Sequence, residues 1–288
     1  MKIIYIKILL VYDGIIWRRE AGKGVYGTYS KYSNRKGRVY IPMKKIAIYG
    51  KGGIGKSTTV SNVAAAMAAM GLTVLQIGCD PKADSSRNLT EGRNIPTVLD
   101  VLREKGDAQL EDLVYRSTTG VLCVESGGPV PGVGCAGRGI ITAFEKLEEL
   151  DAYEIYQPDV VLYDVLGDVV CGGFAMPIRG GYADEVCIVT SGEMMSLYAA
   201  SNIAGAVNSM GKRGYASLKG LILNAKNIEN EQELVTKAAA EIGVPVLYRL
   251  PRDPSVQQAE DQGKTVVEAY PGCPMALQYQ ELAKLLLA

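Results

Sequence analysis

Gly50-Lys51-Gly52-Gly53-Ile54-Gly55-Lys56-Ser57 matches the pattern G-x-x-x-x-G-K-S/T, and what lies on either side of it decides the fold. Before it, Lys45 to Tyr49 (KIAIY) is a short β-rich run. After it, Ser57 to Met70 (STTVSNVAAAMAAM) is alanine-rich and helical, closed by Gly71. Thr73 to Ile77 (TVLQI) is the next strand, so strand, glycine loop, helix and strand make a βαβ unit, which implies a parallel sheet covered by helices. Glycines in such a loop let backbone N–H groups curl around phosphates, and the positive end of the helix faces the same anion. The cradle is expected to run from Gly50 through Gly52, Gly53, Ile54 and Gly55 to Thr58, with Lys56 reaching the β- and γ-phosphates and the Ser57 hydroxyl ligating Mg²⁺.

The alternation continues along the chain. Gly120 to Glu125, Val160 to Asp164, Glu185 to Thr190, Lys219 to Asn224 and Val244 to Leu250 read as strands. Helices are expected at Ile140 to Leu150, Met194 to Met210, Glu231 to Ile242 and Pro274 to Leu287. Residues 43–288 are therefore expected to form one α/β domain, a doubly wound, mostly parallel sheet of the P-loop NTPase type.

Residues 1–42 differ from this text. They carry nine basic residues against Asp13 and Glu20, hold the sole tryptophan, Trp17, and show neither a clear period nor cap signals. The preferred reading is a basic extension, translated upstream sequence or poorly ordered, with Met43 as the natural start; a basic arm for anionic partners is the alternative.

Composition narrows the chemistry. The 288 residues are 48% hydrophobic and 22% charged, with 31 basic and 31 acidic side chains, which argues against disorder and against a dedicated nucleic-acid binder. There is no histidine, which removes histidine acid–base chemistry and histidine metal ligation. No apolar run reaches the roughly 18 residues of a spanning helix, and six scattered cysteines suggest a reducing compartment, so a cytoplasmic protein without a membrane partner is expected.

Two further segments supply carboxylates. Val160-Val161-Leu162-Tyr163-Asp164 is an apolar strand ending in aspartate, the Walker B pattern, able to hold Mg²⁺ through its water shell. Asp80, just after the second strand at the carboxyl edge of the sheet, is suited to orient an attacking water, or simply to initiate a turn before Pro81. Two cysteines lie among glycines, Cys135 in PGVGCAGRG and Cys171 in VVCGG, whereas Cys123 and Cys187 lie in apolar strands as buried packing residues do. A 4Fe-4S cluster usually takes four thiolates, and a two-fold homodimer contributing Cys135 and Cys171 from each subunit closes that count. Asp164 precedes Cys171 by seven residues, so a segment that shifts with the γ-phosphate, Asp168 included, would pull on the cluster ligand.

Lys51 resembles the signature lysine of the deviant Walker A group of P-loop ATPases, which crosses a dimer interface to the partner's nucleotide. More broadly, GKGGIGKSTT (50–59), GCDPKADSSR (78–87), ESGGPVPGVGCAGRG (125–139), YDVLGDVVCGGFAMPIR (163–179) and SGEMMSLYAASNI (191–203) resemble the nitrogenase iron-protein superfamily over essentially all of residues 43–288. The resemblance implies an ATP-hydrolysing iron-sulfur oxidoreductase: a homodimer with one 4Fe-4S cluster and MgATP, charged by ferredoxin or flavodoxin, delivering electrons to a larger metalloprotein. It places Lys51, Lys56 and Ser57 on the phosphate loop, Asp80 and Asp84 on switch I, Asp164 and Asp168 on switch II, and Cys135 and Cys171 on the cluster. It also places Asn224, Pro251, Arg252 and Asp253 in the adenine region, and Arg138 at the partner contact that is ADP-ribosylated in some members.

Relative to that pattern the 42-residue leader is foreign, and the C-terminal extension that wraps many such dimers is missing. Ala83 to Arg87 and Ser191 to Met195 favour the nitrogen-fixing branch, with a nitrogenase catalytic component as acceptor. Ile95 to Gly106 instead resembles tetrapyrrole-branch members, such as the reductases of dark protochlorophyllide reduction or of nickel-sirohydrochlorin diamide cyclisation. A ParA/MinD-like positioning ATPase would share the loop and Lys51 but lack the cysteines, and a cluster-carrier ATPase would show a close C-x-x-C pair, which is missing here.

Overall fold

The structure is a computed structural model and describes residues 9–12, 15–20, 23–28, 43–129, 137–167, 172–211 and 215–288. The chain divides into two units, residues 1–42 and 43–288. In the first, β1 (Leu9–Tyr12), β2 (Ile15–Glu20) and β3 (Lys23–Thr28) pair antiparallel in that order, where the sequence offered no period to read.

The second unit begins with β4 (Lys44–Gly50), α1 (Lys56–Ala69) and β5 (Val74–Gly78), the expected βαβ unit. Two short helices follow, α2 (Val98–Lys105) and α3 (Leu110–Leu113), then β6 (Tyr115–Arg116) and β7 (Leu122–Glu125). Next come α4 (Gly137–Glu149), α5 (Ala152–Tyr156), β8 (Val160–Asp164), α6 (Met176–Arg179) and β9 (Glu185–Thr190). The chain finishes with α7 (Met194–Gly211), β10 (Ser217–Asn224), α8 (Glu231–Ile242), β11 (Val246–Leu250), α9 (Pro254–Glu260), α10 (Val266–Ala269) and α11 (Pro274–Leu287).

The eight strands form one sheet in the order β11-β10-β9-β4-β8-β5-β7-β6, parallel throughout except for β6 against β7. Helices cover both faces, as the near-continuous apolar strands require. In β4, Ala47 and Tyr49 join a core with Ile140 and Phe144 of α4 and Ile203 of α7, while Ile46 and Ile48 face Val60 and Met67 of α1 and Leu282 of α11. Helix α1 is buried on nearly all sides, which is why small alanines (64–66) suit it better than an amphipathic stripe. Its Asn62 accepts from the Val266 N–H at the start of α10 (2.8 Å), fixing α10 against it.

Strand order is what positions the site. β8 lies between β4 and β5, and its register sets Asp164 beside Ile48 on one side and Gly78 on the other. The carboxylate at the end of β8 therefore emerges between the glycine loop after β4 and the segment after β5.

Candidate functional site

The loop after β4 closes on a backbone bond from the Ile54 N–H to the Lys51 carbonyl (3.2 Å), and Gly55 takes φ 90°, the left-handed region that glycine reaches without a Cβ penalty. Gly55 is also the N-cap of α1. It offers no side chain to the first-turn N–H groups, and that turn holds no acidic residue, so the positive end of a 14-residue helix stays open to an anion. Lys56 is buried and donates to Asp164 Oδ1, while Asp164 Oδ2, fully buried, has no partner. A lysine paired with a carboxylate that keeps one unsatisfied oxygen fits a site whose charge balance is completed by phosphate and a divalent cation.

Two cavities meet at this loop. One, of about 320 Å³, is lined by Lys51, Lys56, Ser57, Asp80 and Asp84. The other, of about 670 Å³, is lined by Asn224, Pro251, Arg252, Asp253, Gln257 and Glu260. Gly53, Gly55 and Thr58 border both, so the sequence-read phosphate and adenine residues line two adjoining cavities of one cleft region. Asn224 at the end of β10 donates to the Ile54 carbonyl (2.7 Å), tying the far cavity to the loop.

Asp80 combines a turn-forming bond with a place in the cleft. Its Oδ1 accepts from the Lys82 N–H (2.9 Å), a turn-forming bond, and the same carboxyl lines the cleft, where burial pushes its pKa up. Asp253 caps α9 through the Ser255 N–H (2.8 Å), and its hydrogen bonds with Ser255 hold its carboxyl below the ordinary value. Arg138 is exposed at the second position of α4. Cys135, Cys171 and Asp168 lie outside the described residues.

Several polar residues went unread in the sequence. Lys82 joins the end of the cleft at Lys56, and Lys226, Asn227, Gln257 and Glu260 join its other end, the last two from α9. Glu260 accepts from the Thr58 hydroxyl (2.5 Å) and from Asn88 (3.0 Å), bridging the start of α1 to the segment after β5. The Asp253-Pro254 pair, an N-cap before a first-turn proline, was the available signal for α9.

Residues 44–288 match the family model described as 4Fe-4S iron sulfur cluster binding proteins, NifH/frxC family. The chain belongs to the NifH/frxC family. Among relatives, it is 53% identical over 246 residues to a protein named nitrogenase iron protein from Methanospirillum hungatei, covering 84% of this chain and 87% of that one. Among solved structures, the MinD septum-site protein of Pyrococcus horikoshii with Mg-ADP aligns with a TM-score of 0.64 at 26% identity over 84% of this chain and 95% of that one. Pyrococcus furiosus MinD, at 24% identity and a TM-score of 0.65 over 85% and 99%, shares the fold.

Four of the six cysteines of this NifH/frxC-family chain lie among the described residues. Cys79, Cys123 and Cys187 are buried, and burial raises their thiols, Cys187 to about 12, which disfavours the thiolate a cluster needs. Cys273 accepts from the Ala276 N–H (3.3 Å) as the cap of α11. Among the described cysteines, none is set out as a cluster ligand.

Glu125, at the end of β7, is a further buried carboxyl, pushed up to about 8 from an ordinary 4.5 chiefly by burial, against the opposing bonds from Ser86. The unfolded chain releases this proton near pH 4.5 and the folded protein only near pH 8, so the native state binds more protons between those values and loses stability as pH rises through them. Glu125→Gln, neutral at every pH, is expected to melt close to the parent at about pH 4.5 and progressively above it up to about pH 8. Parallel melting curves across that range would refute the assignment.

Proposed function

We propose that this chain is the ATP-hydrolysing reductase of an electron-transfer system: a homodimer holding one 4Fe-4S cluster through Cys135 and Cys171 of each subunit, reduced by ferredoxin or flavodoxin, and passing electrons to a larger metalloprotein of the nitrogenase catalytic type. The observation that carries the reading is the pair of adjoining cavities at the glycine loop, with the Lys56–Asp164 pair at one end, in a chain of the NifH/frxC family.

In this reading the triphosphate takes over Lys56 and lies along the open end of α1. Asp164 and the Ser57 hydroxyl would hold a hydrated Mg²⁺, which would give the orphaned Asp164 oxygen a partner and neutralise phosphate charge. Asp80 orients the attacking water. Lys51 is exposed and lines the cleft, which supports its meeting a nucleotide across a two-fold interface in this reading. Asp84 and Asp168 then respond to the loss of the γ-phosphate, and Asn224 with the Pro251 to Asp253 stretch holds the base. The cluster, when bound, supplies a one-electron donor.

Anaerobic purification tests this directly. The dimer is expected to hold about four irons, by the four-thiolate requirement, and a brown absorbance bleached by dithionite. A colourless, iron-free dimer that still hydrolyses ATP would overturn the proposal in favour of a positioning ATPase of the MinD kind.

A further inference from the structure

Glu125 is fully buried, yet the ATPase cycle gives it no task. A carboxyl removed from water persists only where hydrogen bonds offset the cost. Its Oε1 accepts both from the Ser86 N–H (2.7 Å) and from the Ser86 hydroxyl (2.6 Å). Its Oε2 has no partner and lies so close to Gly78 that a Cβ there would stand 2.0 Å away. Ser86 ends the segment that begins with Asp80 and Asp84 in the phosphate end of the cleft.

Three side chains from α1, β5 and the end of β7 anchor that segment. Ser61 of α1 (2.9 Å) and Gln76 of β5 (3.0 Å) hold the Ser85 carbonyl, and Glu125 holds Ser86. The first two belong to the βαβ unit that carries the phosphate loop itself. Glu125 belongs to the strand end that continues as Ser126-Gly127-Gly128 and, ten residues on in the sequence, reaches Cys135. The same strand end meets the segment again at Gly128, where a Cβ would stand 2.6 Å from Pro81 Cβ. The 80–87 segment is thus gripped by 125–128 twice, by hydrogen bonds at Ser86 and by close backbone approach at Pro81.

We propose that Glu125 is a positioning residue that locks the 80–87 segment to the end of β7, so that a displacement of Asp80 and Asp84 by a bound nucleotide is passed to residues 126–128. This rests on the reading of the cleft as a nucleotide site, and adds to it a route separate from the one through Asp164. The neutral form of Glu125 presents one acceptor oxygen to Ser86, which a glutamine amide reproduces.

Hydrogen exchange on the full-length protein, with and without MgATP, tests the lock without reference to the cluster. In the parent, MgATP is expected to slow exchange at 80–84 and at 126–128. In Glu125→Ala the slowing at 80–84 persists and that at 126–128 is lost, a change of about tenfold in rate, the size expected for one hydrogen bond to a buried carboxyl. Glu125→Gln restores the response, and Ser86→Ala, which keeps the N–H bond, gives an intermediate one. An alanine variant that responds as the parent does, a glutamine variant as uncoupled as the alanine one, or a parent silent at 126–128 overturns the inference. If Glu125→Ala does not fold, Ser86→Ala decides alone: a weakened response supports the lock and an undiminished one overturns it. Absence of protection at 50–58 is a different failure, one that removes the nucleotide reading and the inference with it.

Discussion

Lys56→Ala is expected to abolish ATP hydrolysis and, at the same time, to destabilise the nucleotide-free protein. The two effects have separate causes. In catalysis Lys56 is the charge assigned to the β- and γ-phosphates, and removing a preorganised electrostatic partner of this kind costs about 100- to 1,000-fold in turnover. In the free protein Lys56 is the counter-ion of Asp164, whose carboxylate is fully buried. Truncating one member of a buried ion pair leaves the other charge uncompensated, at a cost of about 3–5 kcal/mol. The signature is a dissociation of the two effects in a second variant. Lys56→Ala combined with Asp164→Asn should recover most of the lost thermal stability, because no buried charge remains, and should recover no hydrolysis. Denaturant melts and a phosphate-release assay on both variants check this; undiminished turnover in Lys56→Ala would refute the phosphate-loop role.

Cys135→Ala and Cys171→Ala, each alone, are expected to yield colourless protein, with iron falling from about four per dimer to near zero. The reason is the supply of thiolates. Cys79, Cys123 and Cys187 are buried, which holds their thiols neutral, and Cys273 is engaged as a helix cap, so among the described cysteines no replacement thiolate stands ready. Cys187→Ala is the matched control and should keep its iron while losing some packing. Iron analysis and visible absorbance under anaerobic conditions decide the matter, and a full complement of iron in either loop variant would refute the ligand assignment.

Much of this architecture was legible because the elements that matter are long or strongly patterned. β8, β9, α8 and α11 fall on the residues the sequence assigns, and β4, α1, α4, α7 and β10 differ from it only at their ends. The phosphate loop was legible because its glycines and lysine answer to local chemistry. What escaped was set by tertiary contact. β6 is two residues long and exists through its pairing with β7, and α10 is four residues long and held by Asn62. Strand order, with β8 inserted between β4 and β5, is invisible to periodicity although it is what brings Asp164 to Lys56. Glu125 escaped for a related reason: in the sequence it is one acidic residue before Ser126-Gly127-Gly128, and only folding shows that it is buried on Ser86. Gln257 and Glu260 reach the cleft from a helix signalled only by its cap and proline.

The alanines of α1 also constrain how such a machine could move. Wedged between the sheet and α11, the helix behaves as a fixed axle and offers no slack along its length. In the proposed cycle, recoil on losing the terminal phosphate would therefore be diverted into the two peptides that leave neighbouring strands at Cys79 and Val165. The working stroke would run sideways along the sheet's carboxyl rim, with the anion grip itself held still.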